Sequence, residues 1–325
     1  MKAVICNEFC EPAGLAIEER PLPVAKPGEV LIDVKAAGIN FPDSLIIQGK
    51  YQVRPPLPFT PGLEAAGVVR AVGEGVTAFK SGDRIVAHPE MGAFAQTIAV
   101  PTVRVFAIPD SMNFKEAAGF LIAYGTSHNA LKDRAQLKAG ETLLVLGAAG
   151  GIGLTAVELG KVMGAKVIAV ASSAEKLALC KQYGADELID YSREDLRARI
   201  KELTGGRGID VVYDPVGGPY AEQTIRSLAR YGRYLVMGFA AGEIPKIPLN
   251  LLLLKTSSAV GAFWGQFVEN EPEHNAENMR EMFAWHAAGK LRPHISATFP
   301  FEEAGRAIEH VAARRAMGKV ILSFE

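Results

Sequence analysis

The sequence predicts an α/β protein in which a doubly wound parallel sheet is inserted into a β-rich, antiparallel region. Three observations predict it. The first 120 residues are rich in Gly and Pro, with short β-branched runs between turn signals. From residue 142, short apolar runs alternate with segments of helical spacing, the pattern of a parallel sheet covered on both faces. A last apolar run, 318–324, can return to the first region as a strand. With 325 residues the chain exceeds what one hydrophobic core usually supports, so two domains are expected.

The elements follow in order. The runs 29–39, 65–73 and 83–89 read as strands, and 26–29 and 80–83 as turns in which glycine supplies the backbone freedom. The stretch 111–132 carries apolar residues at helical spacing, with Ser111 placed as its N-cap. Strands are expected at 142–148, 165–171, 208–217, 232–239 and 257–265. Helices are expected at 151–163, 174–184, 195–205 and 220–229. The polar run 264–278 reads either as a mobile loop closing the substrate pocket or as a plain surface connection. Beyond it come helices at 277–291 and 301–314 and the final strand.

Composition excludes several functions. A net charge of −1, from 35 basic and 36 acidic residues with no basic block, gives a polyanion nothing to bind, so nucleic acid is not an expected partner. The first residues carry Glu8 and Glu11 and lack the apolar core of a secretory signal. The longest apolar runs, such as 249–254, are far too short to span a bilayer. Three cysteines, Cys6, Cys10 and Cys180, do not make a disulfide framework, and a reduced, cytoplasmic protein is expected.

Gly150, Gly151 and Gly153 lie between an expected strand and an expected helix, the context a dinucleotide fingerprint requires. Gly150 lets the backbone approach a pyrophosphate, and Gly153 lets the helix pack on the strand. The helix N-terminus offers unpaired N–H groups and a positive dipole end to the anion. Ala148 stands where the first glycine of the motif is usual. A glycine-rich turn that binds nothing is the bland alternative, and the surrounding alternation favours the cradle. The end of the second strand selects the cofactor. An acidic residue there would accept from the ribose hydroxyls of NAD, but this chain has Ser172 and Ser173 with Lys176. Hydroxyls and an ammonium attract a 2′-phosphate, so NADP(H) is expected. Ser172 or Ser173 also suits the N-cap of the next helix.

The stretches 148–153 (AAGGIG), 36–43 (AAGINFPD), 61–69 (PGLEAAGVV), 82–87 (GDRIVA) and 211–218 (VVYDPVGG) resemble the medium-chain dehydrogenase/reductase superfamily. The likeness is closer to its zinc-independent quinone oxidoreductase branch, which includes zeta-crystallin. The resemblance implies a GroES-like catalytic domain made of residues 1–120 and 264–325, with a Rossmann NADP(H)-binding domain, 121–263, inserted in it. Zinc-dependent members carry a cysteine where this chain has Asn40 and a histidine where it has Leu63, while Glu64 is retained. An amide and an isobutyl group are not zinc ligands, and the six histidines show no ligand spacing, so no metal is expected. An acceptor whose oxyanion is already delocalised then suits the site: a quinone giving a phenolate, or an enone or enoyl thioester giving an enolate.

The resemblance also implies site residues. Cofactor contacts are Thr126, Gly150, Gly151, Ile152, Ser172, Lys176, Tyr191 beside the 2′-phosphate, Gly238, Phe239, Phe263 and Lys319. Each has a structural alternative: a helix hydroxyl for Thr126, core aromatics for Tyr191 and Phe263, a solvated end for Lys319. Asn40 is placed beside the nicotinamide, donating to the substrate oxygen or holding the cofactor, unless it merely occupies a left-handed turn before Pro42. Tyr51 faces the substrate or packs, and Asp43 orders its loop. The family's dimer forms through the last Rossmann strand, here 257–265, which as an open apolar edge would invite aggregation. The expected activity is metal-free, NADPH-dependent hydride transfer to quinones. The alternatives are reduction of α,β-unsaturated carbonyls or acryloyl thioesters, and a non-catalytic NADPH-binding structural or sensor protein.

Overall fold

In the computed structural model, which describes residues 1–324, the β-branched runs of the N-terminal third pair as antiparallel strands. β1 (Lys2–Ile5) pairs with β2 (Ala16–Glu19). The long strand β3 (Glu29–Ile39) is followed directly by α1 (Phe41–Ile46), then by β4 (Ala65–Val72), β5 (Arg84–Ala87), β6 (Thr97–Pro101) and β7 (Val105–Ala107). Both β4 and β6 pair antiparallel with β3, β5 pairs with β4, and β7 with β5. Side chains of β3 are buried on both faces over most of its length, which is why the strand reads as a nearly continuous apolar run.

The helix expected over 111–132 is divided. Its first part, α2 (Phe114–Ala118), is capped by Asn113 rather than Ser111. The Asn113 carboxamide oxygen accepts from the N–H of Glu116 (2.9 Å), and the Glu116 carboxylate accepts from the N–H of Asn113 (3.0 Å). That reciprocal box satisfies two orphan donors at once, which a lone serine does not. After a break at Gly119–Phe120 the chain resumes as α3 (Leu121–His128) and a π-helical turn over Asn129–Arg134.

The alternating segment then builds a parallel sheet. Its elements are β8 (Thr142–Leu146), α4 (Gly151–Val162), β9 (Lys166–Ala171), α5 (Ala174–Gln182), β10 (Glu187–Asp190), α6 (Leu196–Leu203) and β11 (Ile209–Asp214). They continue as α7 (Pro219–Arg226), β12 (Leu228–Val236), α8 (Asn250–Lys255), β13 (Ser258–Gly261) and α9 (Trp264–Asn270). The order is β10-β9-β8-β11-β12-β13, every pair parallel. The chain winds outward from β8 in one direction and from β11 in the other. The switch between those two strands is where open α/β sheets bind ligands.

The expectation of a loop over 264–278 is corrected, since this run forms α9 and the start of α10 (Pro272–Ala287). Trp264 and Val268, both buried on α9, anchor it. The Trp264 indole Nε1–H donates to the Asn275 side chain (3.2 Å), and Gly125 leaves room for the ring. The remaining elements are β14 (Ile295–Pro300), α11 (Ala304–Ala312) and β15 (Lys319–Ser323). β15 runs antiparallel to β3, with Val320 opposite Ile39, and parallel to β14. The tail thus returns to the first region as expected. Contacts group the chain into two units, residues 1–122 with those from Met279 onward, and Ala123–Asn278. The polar run 264–278 therefore groups with the parallel sheet, whereas the expected boundary fell at 263.

Candidate active site

The second unit gathers its candidate residues at the carboxyl ends of the parallel strands. After β8 the chain turns at Gly147, which takes the tight-turn role expected of position 148: its φ is +58°, where a side chain is strained. A Cβ there would also stand 2.9 Å from Val216 Cγ2 in the turn after β11. Gly150 is the N-cap of α4, and Gly151 and Ile152 form its first turn, where helical N–H groups have no helical acceptor. Gly153 packs against Gly147, so an added Cβ would lie 2.9 Å from the Gly147 carbonyl carbon. Ser127 holds this turn from behind. Its hydroxyl lies 2.9 Å from the Ile152 carbonyl, 2.8 Å from the Thr155 hydroxyl and 2.9 Å from the Tyr213 hydroxyl. Thr126, beside it on α3, is half-buried.

The neighbouring strand ends supply side chains. Ser173 is the N-cap of α5, accepting from the N–H of Lys176 (3.3 Å). That leaves the Ser172 hydroxyl for other work, with the Lys176 ammonium 3.4 Å away. Tyr191 arrives beside them because its N–H donates to the carbonyl of Ala171 (3.2 Å), and its ring packs on Tyr220 at 4.7 Å between centroids. Gly238 and Phe239 follow β12 and run along the turn after β11: the N–H of Ala240 donates to Pro215 O (3.0 Å) and that of Ala241 to Val216 O (2.8 Å). Phe263, just past β13, is 52% exposed, so it is not a core aromatic.

Asp214, which the sequence reading passed over, organises that turn. Its carboxylate accepts from the N–H groups of Val216 (2.7 Å) and Gly217 (2.8 Å) and from the Tyr234 hydroxyl. Burial pushes its pKa up, against the pull of these three donors. An acid ending an apolar strand and followed by Pro-Val-Gly-Gly is the signal that marks it.

The first unit holds a different arrangement. Asn40 is in extended conformation (φ −122°), not the left-handed turn, and is the N-cap of α1. Its N–H donates to the Asp43 carboxylate (2.7 Å). Its Oδ1 accepts from the Lys319 ammonium (2.7 Å), and its Nδ2 donates to Glu64 Oε1 (2.9 Å), with a long contact to Gly38 O (3.4 Å). Lys319 also donates to Glu64 Oε1 (2.8 Å) and to Ile39 O (3.1 Å). The other Glu64 oxygen accepts from the N–H of Ile122 (3.0 Å). Lys319 is 4% exposed and Glu64 not at all. This corrects both expectations for Lys319: it is no solvated end, and its three N–H donors are used within the unit, leaving none for a cofactor.

Asp43 is fully buried, and its Oδ1 has no hydrogen-bond partner. Burial lifts its pKa to about 7; the Asn40 N–H and Lys319 pull the other way, and Glu64 pushes further up. Tyr51 packs against the core of the first unit, and burial and then the charge of Asp43 raise its hydroxyl. Glu64 was noted in the sequence but given no role. A carboxylate inside the apolar run 61–69, and a lysine opening the apolar run 319–322, are the signals that mark the pair.

Comparison with known proteins places this architecture. The model described as "Alcohol dehydrogenase GroES-like domain" matches residues 26–110, and that described as "Zinc-binding dehydrogenase" matches 151–285. A GroES-like domain interrupted by a doubly wound sheet with a glycine turn at its switch point defines the medium-chain dehydrogenase/reductases. The quinone oxidoreductase-like protein 2 homolog of Nematostella vectensis is 40% identical over 99% of this chain and 88% of its own. The quinone oxidoreductase of Pseudomonas syringae is 34% identical, with a TM-score of 0.92 over 99% of each chain. That of Escherichia coli, solved in complex with NADPH, is 30% identical, with a TM-score of 0.92 over 99% of this chain and 100% of its own. The chain belongs to the zinc-independent quinone oxidoreductase branch of that superfamily.

Zinc does not fit the residues present. Asn40 and Leu63 stand where thiolate and imidazole would be needed, and Glu64 is committed to Lys319. Among the described residues, no group of three or more His, Cys, Asp or Glu side chains is disposed to hold a metal ion, and no helix is long and apolar enough to cross a membrane. A dinucleotide does fit the second unit, where Gly147, Gly150, Gly151 and Gly153 leave the main chain of the turn open to close approach.

Proposed function

We propose that this protein is an NADPH-dependent reductase of quinones and similarly activated acceptors. The observation that carries the proposal is the glycine turn at the switch point, with Ser172, Lys176 and Tyr191 grouped at the adjoining strand ends. When bound, NADPH supplies a hydride. Gly151 and Ile152 present N–H groups to its diphosphate, and Gly150, whose own N–H closes the turn onto the Gly147 carbonyl (2.9 Å), lets the diphosphate come close. Ser172 and Lys176 receive the 2′-phosphate, with Tyr191 beside it. Thr126, Gly238, Phe239 and Phe263 line the nicotinamide half. In the first unit, Asn40 donates to the acceptor oxygen as it gains negative charge, and Tyr51 faces the acceptor. A delocalised phenolate needs only such hydrogen-bond stabilisation. The names of the Nematostella, Pseudomonas and Escherichia relatives support this choice of acceptor.

A homodimer through β13 accompanies this reading. β13 ends the sheet with exposed residues, and Leu249, Leu253 and Leu254 of the adjoining segment are more than 70% exposed, an apolar face that a second copy would cover. One-chain mass in sedimentation at micromolar concentration would remove it. Cys6, Cys10 and Cys180 are free thiols, which supports a reducing compartment such as the cytoplasm.

The test is NADPH oxidation against a panel of quinones, enones and enoyl thioesters, with direct measurement of NADPH binding. Quinone turnover is the expected result. Turnover of enones or enoyl thioesters alone moves the assignment to alkene reduction, and tight NADPH binding without any turnover makes the protein a sensor.

A further inference from the structure

Lys319, Glu64 and Asn40 form a closed triangle in the first unit, each hydrogen-bonded to the other two at 2.7–2.9 Å. Space for it is hollowed out by two glycines. A Cβ on Gly38 would lie 2.8 Å from Glu64 Cδ, and one on Gly119 would lie 3.2 Å from Lys319 Cβ. Stability does not explain the arrangement. Taking two ions out of water costs several kcal/mol each, and a buried pair commonly gains nothing over apolar residues of the same volume. What the pair does achieve is orientation. The Asn40 carboxamide has one acceptable setting, oxygen toward the ammonium and nitrogen toward the carboxylate, because a flip would face NH2 with Lys319 and oxygen with Glu64.

The triangle also sets the donor's strength and availability. An ammonium on Oδ1 draws electron density through the amide and makes the Nδ2 hydrogens better donors. One of those hydrogens is held by Glu64. The second has only the 3.4 Å contact with Gly38 O. A preoriented donor of this kind stabilises an oxyanion without reorganising at the moment of reaction.

We propose that Glu64 and Lys319 are positioning residues: the buried pair orients and polarises the Asn40 carboxamide, whose second N–H serves the acceptor oxygen, and neither touches cofactor or acceptor. The proposal rests on the reductase reading for its consequence in turnover. Its structural half is independent of that reading.

The experiment is a mutant cycle. Glu64→Gln and Lys319→Met are combined to remove both charges while keeping volume, and the pair is made with and without Asn40→Ala. Expected for the charge-free variant are an unchanged NADPH affinity and a kcat for quinone at least about tenfold lower. In the Asn40→Ala background the same pair of changes brings no further loss. Wild-type kcat, losses that multiply with that of Asn40→Ala, or a tenfold loss of NADPH affinity would each overturn the proposal. A second measurement needs neither turnover nor a folded variant. In wild-type protein labelled with [15N]asparagine, the Asn40 side-chain amide hydrogen held by Glu64 should be resolved and protected from solvent exchange by at least tenfold relative to exposed asparagines. Exchange as fast as that of exposed asparagines overturns the proposal even if no acceptor is ever found. Protection without any NADPH oxidation by the wild type would instead sink the reductase reading alone.

Discussion

The two units meet the problem of handling charge by opposite means. Around residues 147–153 the second unit uses glycines to clear space, so that main-chain N–H groups in the first turn of α4 are left without helical acceptors. Around Asn40 the first unit does the reverse, packing a full ion pair out of reach of water behind a single neutral amide. A cradle made of backbone tolerates ligands that come and go, because its donors are fixed by the fold itself. A donor made of one side chain needs others to hold it still.

The comparison breaks most severely where each unit clears space. Gly153→Ala pushes α4 off the turn at Gly147, and Gly38→Ala drives a methyl into the Glu64 carboxylate and the Ala118 carbonyl. Each is expected to lower stability by about 3 kcal/mol, read by denaturant unfolding. The split lies in binding: at temperatures where both are folded, Gly153→Ala loses NADPH affinity and Gly38→Ala keeps it. Equal losses of affinity would erase the distinction between the units.

A smaller effect sharpens the cradle. Lys176→Glu puts a negative charge beside the Ser172 hydroxyl, and the NADPH dissociation constant should rise by about tenfold more than that of NADH, measured by fluorescence titration. A common change in both constants would remove Lys176 from the 2′-phosphate.

The smallest effect belongs to Asp43. Its folded pKa, about 7, lies above the value of ~3.9 in an unfolded chain. The folded state therefore holds the proton more tightly. The stability this contributes is full below about pH 4 and is lost as pH rises through 7. Asp43→Asn stays neutral and can still accept from the Asn40 N–H. Thermal scans at pH 5 and pH 8 should show a flatter dependence than wild type, with a melting temperature at pH 8 a few degrees higher. An unchanged slope would mean that Asp43 is ionised in the folded protein.

The same contrast explains what could be read in advance. The cradle is local: β8, Gly147 to Gly153 and α4 are consecutive, and strand–glycine–helix spacing is visible in one short window. Ser172 and Lys176 are four residues apart on one helix start. The triangle is not local. Asn40 and Glu64 are 24 residues apart and Glu64 and Lys319 are 255 apart; the pairing of β4 with β3 brings Glu64 beside Asn40, and that of β15 with β3 brings Lys319. In the sequence Lys319 is a tail side chain with nothing beside it that points to Glu64. The helices over 264–278 are illegible for a similar reason: their polar composition suggests a loop, and of their apolar anchors, Trp264 and Val268, the first acts through Asn275 and Gly125.

Strand β15 carries one further consequence, for the order of events during synthesis. The elements of the parallel sheet are contiguous and leave the ribosome together, so they can assemble early. The amide at position 40 emerges long before them yet stays without its ammonium until residue 319 has been added. Between those moments Glu64 is an acid awaiting its counter-ion, and the half-finished first unit is the stage at which a chaperone would find this chain.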